Sequence, residues 1–160
     1  MPYSWDRLNT LADPAVRVTL IRRFDRLTPQ TSARWGTMSS TQMLRHLVLA
    51  FRMAMGECAV ADAASRKFDN PLVRFVALTL PIPWPKGIKT VPEIDCAALR
   101  PSSVDFADEH AKIAVAIRCF GEVSAANLCS THPMFGSLNR SQWMRWGFRH
   151  TDHHLRQFGC

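Results

Sequence analysis

The chain has 160 residues, of which 47% are hydrophobic, 21% charged and 9% aromatic. That balance suits one domain, residues 1–160, able to bury about 70% of its unfolded surface, and it excludes general disorder, collagen-like repeats and low-complexity sequence. Lys and Arg outnumber Asp and Glu by 20 to 13, a net charge of +7, but only Arg22-Arg23 and Arg66-Lys67 are adjacent cations, so no basic stripe points to nucleic acid.

Asp13-Pro14 supplies a cap and a first-turn proline, and Val16, Leu20, Ile21, Phe24 and Leu27 follow at helical spacing, predicting a first helix that ends before Pro29. Ser39 and Gln42 form a capping-box pattern that opens a second helix running to about Gly56. That helix is apolar on two sides, with Leu44, Leu47, Val48, Phe51 and Met55 opposite Met43, His46, Ala50 and Met53, leaving only a wet wedge at Arg45 and Arg52. Such a helix is sandwiched inside a bundle, so His46 is expected to face an interior.

Asn70-Pro71 repeats the start signal, and Leu72, Phe75, Val76 and Leu80 give a short third helix that Pro81 stops. Half of the ten prolines fall between Pro81 and Pro101, a stretch read as an extended connection wrapping the domain and long enough to be functional. From Ser102 onward Phe106, His110, Ile113, Ile117 and Phe120 keep a helical stripe, while Ile113, Val115, Ile117 and Cys119 also alternate as a strand would. The length of the stripe and the cap-like Ser102 and Asp105 favour a helix. A loop containing His132-Pro133-Met134-Phe135-Gly136 leads to Asn139 and Gln142, a second capping-box start, and a final helix that ends at Gln157 or Phe158 before Gly159. Four or five helices without βα alternation make an all-α bundle.

The five cysteines contain no C-x-x-C pair, so neither a disulfide framework nor a zinc knuckle is indicated and a reducing cytoplasm fits. Most thiols are expected to pack as small apolar groups, with Cys160 exposed and oxidisable. No apolar run reaches the length of a signal peptide or a membrane span.

On the final helix Trp143, Trp146, Gly147, His150, His154 and Gln157 share one face. His150 and His154, one turn apart, can supply two metal ligands, and His46 is the leading third because a lone unpaired imidazole in an apolar helix is costly. Three imidazoles leave coordination positions open, as in a catalytic site. The same spacing also occurs as a surface or structural pattern without any ion. Gln157 is placed to orient a ring nitrogen or only to stabilise the helix end, and His132 to fix its loop by a hydrogen bond or to add a fourth ligand. Trp143 and Trp146 are core residues or pocket walls, and His110 has a packing role. No carboxylate is placed beside the proposed ligands on their helix face, so no general base is named.

Trp35-Gly36 with Ser39-Ser40-Thr41-Gln42-Met43-Leu44-Arg45-His46 resembles the second-helix segment of the DinB-like (DinB/YfiT) superfamily, and His132-Pro133-Met134-Phe135-Gly136, Trp143 and His150 through Gly159 are similar to a branch of it catalogued as a domain of unknown function. The resemblance spans nearly the whole chain. It implies an up-down-down-up four-helix bundle, here with a short extra helix and the Pro-rich connection, and a divalent ion on His46, His150 and His154; three imidazoles suit zinc, nickel, iron or copper, with zinc or nickel placed first and iron next. His153 in the same segment is then a supporting group, an alternative ligand or a satisfied surface group, with a supporting role or none favoured. The resemblance further implies a homodimer and a small-molecule substrate. No membrane partner is expected from the hydropathy, and the scattered cations speak against nucleic acid. Characterised members include thiol transferases, thiol-dependent isomerases and supposed hydrolases, so the leading expectation is a metal-dependent enzyme whose activated low-molecular-weight thiol, or water, attacks a small electrophile. The rival is a non-catalytic metal-binding or stress-response bundle with a structural ion.

Overall fold

Every α-helix among residues 9–58, 68–97 and 104–160, which the computed structural model describes, starts at a side chain that accepts an otherwise orphaned backbone N–H. Asp13 caps α1 (Pro14–Phe24), Ser39 caps α2 (Ser40–Ala54), Asn70 caps α3 (Pro71–Thr79), Asp105 caps α4 (Phe106–Glu122) and Asn139 caps α5 (Arg140–Gln157). Both expected capping boxes form, with Gln42 and Gln142 bonding back to the cap backbone. The cap read at Ser102 and the end of the Pro-rich connection at Pro101 lie outside the described residues. The described chain is thus mostly helical.

Two helix ends, one helix face and one element refine or differ from the sequence reading. α1 ends at Phe24, because Arg26 and Leu27 bond back three residues in a tightened turn; Leu27 is still buried, so the apolar stripe outlasts the helix. α2 stops at Ala54, where Met55 caps it and Gly56 takes a left-handed φ of +74°. α3 forms where expected but turns Leu72 and Phe75 outward, 70% and 54% exposed, and buries Leu78; it packs mainly on α5, so only a narrow face finds a partner. The His132 loop is a small antiparallel hairpin, β1 (Thr131–His132) paired with β2 (Gly136–Ser137). Strands of two residues are too short to show a period.

α4 resolves as a helix. Ile113, Ile117 and Phe120 are buried, whereas Val115 is 56% exposed and Cys119 also faces solvent, so burial follows the helical stripe and not the strand-like alternation. α2 lies mainly along α4, and α1 packs on α4 and α5. The core joins Phe51 of α2 to Phe120 of α4 at 4.8 Å between ring centroids, with Trp146 of α5 6.2 Å from each. Gly147 permits this approach, since a Cβ there would stand 2.7 Å from Leu11 Cδ1 and from Phe120 Cε1. The wedge of α2 is less wet than expected, because Arg45 reaches the buried Glu109 carboxylate at 3.3 Å.

All five cysteines are free, and it is Cys119 that is exposed, while Cys160 is half-buried. Arg23 bonds both Asp152 and the Cys160 carbonyl, holding the end of the chain against α1. No helix among the described residues is long and apolar enough to cross a membrane.

Candidate metal centre

Two helices and one connection build the site. α2 is covered on two sides, so its His46 is only 2% exposed, and α5 presents His150 and His154 one turn apart on the face that meets α2. His150 Nε2 stands 3.1 Å from His46 Nε2 and 3.2 Å from His154 Nε2. The ligand atoms of all three lie within 4.8 Å of one another.

Carbonyl groups fix which nitrogen of each outer ring faces this point. The Ile94 carbonyl can only accept, so His46 donates to it from Nδ1 at 2.7 Å and turns the Nε2 lone pair inward. At His154 the same logic runs through an amide. The Trp35 carbonyl takes the Gln157 Nε2–H at 2.8 Å, which turns Gln157 Oε1 toward His154 Nδ1, also at 2.8 Å. His154 therefore also aims a lone pair at His150. A single proton on His150 Nε2 satisfies one neighbour and leaves the other unpaired.

Burial makes protonation a poor remedy. It lowers His46 below the usual imidazole range, opposed by the Ile94 bond. Burial, then the adjacent imidazoles, holds His150 and His154 well below that range. Neutral nitrogens converging at this spacing suit a divalent ion. Ligands about 2.0–2.1 Å from a tetrahedral zinc lie roughly 3.3 Å apart, close to the two shorter separations. His150 Nδ1 is buried without a hydrogen-bond partner, so that ring lacks the outer carbonyl that the other two have.

The remaining sequence candidates divide clearly. Gln157 is buried and orients His154. His153 is half-buried, with its ring 5.3 Å from His154 and 5.8 Å from Trp35, and it stays outside the converging set. Trp146 stacks on His150 at 5.0 Å, whereas Trp143 is core, its indole donating to the Cys129 carbonyl. His132 fixes its loop as expected, Nδ1 accepting from Met134 N at 3.0 Å and Phe135 N at 3.2 Å. His110 donates to the Phe24 carbonyl at 3.1 Å, joining α4 to α1.

Sequence reasoning missed the contribution of the Pro-rich connection. A single 3-10 turn, Pro92–Ile94, delivers the carbonyl that orients His46, and no side-chain signal marks a backbone acceptor. Asp95, next along, lies on the wall of a cavity that also reaches the three histidines, so a carboxylate does approach the site. Trp84 closes another wall, held by its indole N–H on the Ala77 carbonyl at 2.8 Å.

A family model described as a protein of unknown function, DUF1569, matches residues 15–159. The chain belongs to this family. The matched region contains all five helices, apart from the first residue of α1, and the three converging histidines. No curated protein and no solved structure matches the chain.

Proposed function

We propose that the protein is a mononuclear metal-dependent enzyme, with a divalent ion on His46, His150 and His154, in which a thiol or water attacks an electrophilic substrate. The observation that carries this reading is the convergence of three Nε2 atoms, two of them held as lone-pair donors by carbonyl groups. When bound, such an ion acidifies a coordinated water or thiol and so supplies a nucleophile near neutral pH.

The chain's own residues then have definite tasks. Ile94 and Gln157 keep His46 and His154 in the ligating tautomer. Trp146 and Trp84 flank His150, at 5.0 and 6.2 Å between centroids, and shield it from water. His153 and Asp95 on the cavity wall are the side chains placed to accept or return a proton beside the substrate.

The arrangement is also read as the up-down-down-up bundle of the DinB-like superfamily, built from α1, α2, α4 and α5 with α3 as the addition. What supports this is that α2 packs on both α4 and α5, and α1 on the same two helices. Homodimer formation and a low-molecular-weight thiol as partner belong to the same proposal and rest on the sequence resemblance, while a cytoplasmic setting rests on five cysteines without a C-x-x-C pair.

Elemental analysis of tag-free protein beside His46→Ala, His150→Ala and His154→Ala tests the reading. About one divalent ion per chain, lost in each folded variant together with thiol transfer or hydrolysis of a model electrophile, is the expected result. Protein that takes up no ion after incubation with zinc, nickel and iron overturns it.

A further inference from the structure

The cavity that opens beside the histidines measures about 830 Å³, toward the upper end of the range that holds drug-sized molecules. It is far larger than water and a two- or three-carbon substrate require. Its wall is apolar: Met53 from α2, Val76 from α3, Trp84 and Ile88 from the connection, Phe135 from the hairpin and Trp146 from α5 all contribute.

Charge is sparse among the described residues of that wall. The chain carries 20 Lys and Arg, yet among the described lining residues there is no arginine, and the formal charges are one Lys89 and one Asp95, opposite in sign. A phosphate, sulfate or carboxylate would lose its hydration there without an arginine fork to replace it.

Ring faces are abundant instead. Trp84 lies 6.1 Å from Phe135 and 6.2 Å from His150, and Phe68 lies 5.8 Å from Phe135. Tilted rings in contact at this spacing form one aromatic wall, against which a further aromatic ring can stack or meet an edge. The polar end of the cavity is the histidine cluster, so a molecule lying along the wall presents one heteroatom to His46, His150 and His154 and its apolar body to Trp84 and Phe135.

We infer that the site takes an uncharged, predominantly apolar substrate that carries an aromatic ring and a single reactive polar group. This inference rests on the metalloenzyme reading only for what happens to the bound molecule; the selectivity comes from the wall. It also narrows the electrophile from small molecules in general to apolar ones.

The test is a fluorescence titration of the full chain with N-phenyl-1-naphthylamine and with 8-anilino-1-naphthalenesulfonate, which has the same ring system plus an anion. Saturable binding of one neutral probe per chain, at least about tenfold tighter than the sulfonate, is expected. Trp84→Ala should weaken the neutral probe by about tenfold, and Val76→Arg should shift the preference toward the sulfonate, with circular dichroism confirming the fold of each. No saturable binding, equal or tighter binding of the sulfonate, or neutral-probe binding indifferent to both variants overturns the inference. Metal-free and zinc-loaded protein are expected to bind the probe alike, which separates the two readings. Probe binding in a protein that takes up no metal refutes the enzyme and leaves the pocket, whereas metal uptake without probe binding does the reverse.

Discussion

His46 and His150 are 104 residues apart in the chain, and their Nε2 atoms are 3.1 Å apart in the fold. With the His46 proton held on Nδ1 by the Ile94 carbonyl, that contact is either a hydrogen bond donated by His150 or two ligands to one ion. His154, at 3.2 Å from the same His150 atom, aims a second lone pair there, and one ion on the three Nε2 atoms would engage both, leaving His150 Nδ1 as the nitrogen of the cluster without a partner.

Gln157 links the site to the loop before α2. Gln157→Leu removes the acceptor for His154 Nδ1–H and the donor to the Trp35 carbonyl, and should weaken metal binding by about 10–100-fold. Chelator competition measures this directly. Gly36→Ala attacks the same link from the other side, because Gly36 has φ +80° and a Cβ there would stand 2.7 Å from Gln157 Nε2. It should lower stability by roughly 1–3 kcal/mol and weaken metal binding as well, whereas a site indifferent to both changes is not held by Gln157.

Metal affinity should be nearly flat from pH 8 to 6.5 and should fall only well below that. Protons compete with metal at each nitrogen, and burial depresses the protonation of His150 and His154 far below the ordinary imidazole range. Zinc titrations at three pH values check the shape. Zinc at 100 times its Kd should raise unfolding stability by about 2.7 kcal/mol, and a chelator should reverse the gain.

His132 should make the protein sensitive to acid. Burial pushes its pKa down to about 3 from an ordinary 6.5, so below pH 6.5 the unfolded chain binds a proton that the folded ring refuses. The stabilisation from the neutral ring is complete above pH 6.5 and is lost as pH falls toward 3. His132→Asn, whose carbonyl oxygen can accept from Met134 N and Phe135 N, should flatten part of this dependence in denaturant melts. His132→Ala leaves those two N–H groups without their acceptor and should cost about 1–3 kcal/mol at neutral pH.

Asp152 joins α1 to α5 by accepting from Arg23 Nη1 and Arg156 Nε, each at 2.7 Å, in a largely buried setting. Asp152→Ala leaves Arg23 with its charge uncompensated and should destabilise the fold by roughly 3 kcal/mol. Arg156→Ala, on the exposed side of the same carboxylate, should cost about 1 kcal/mol or less. Thermal unfolding of both variants measures the difference, and equal losses would contradict the assignment.

Much of the framework is legible in the chain because its signals are local. The Ser39/Gln42 and Asn139/Gln142 boxes, the proline at each of two helix starts and the two-sided apolar pattern of α2 each depend on residues within one or two turns. The i, i+4 spacing of His150 and His154 is equally local. The outward Leu72 and Phe75 of α3 and the hairpin at His132 escaped it, since which side of a short helix meets a partner, and which two-residue segments pair, depend on what the rest of the chain brings alongside.

By itself, the sequence determined where the helices start, that α2 is covered on two sides, and that His46, His150 and His154 are the candidate ligands. The tertiary structure decided the separations between those rings, the carbonyls of Ile94 and Trp35 that set their tautomers, and the apolar cavity at their side. Helical periodicity is written within a few residues, but a backbone carbonyl carries no side-chain signature, and a cavity is the space between elements far apart in the chain; both exist only once packing has fixed distances across the whole fold.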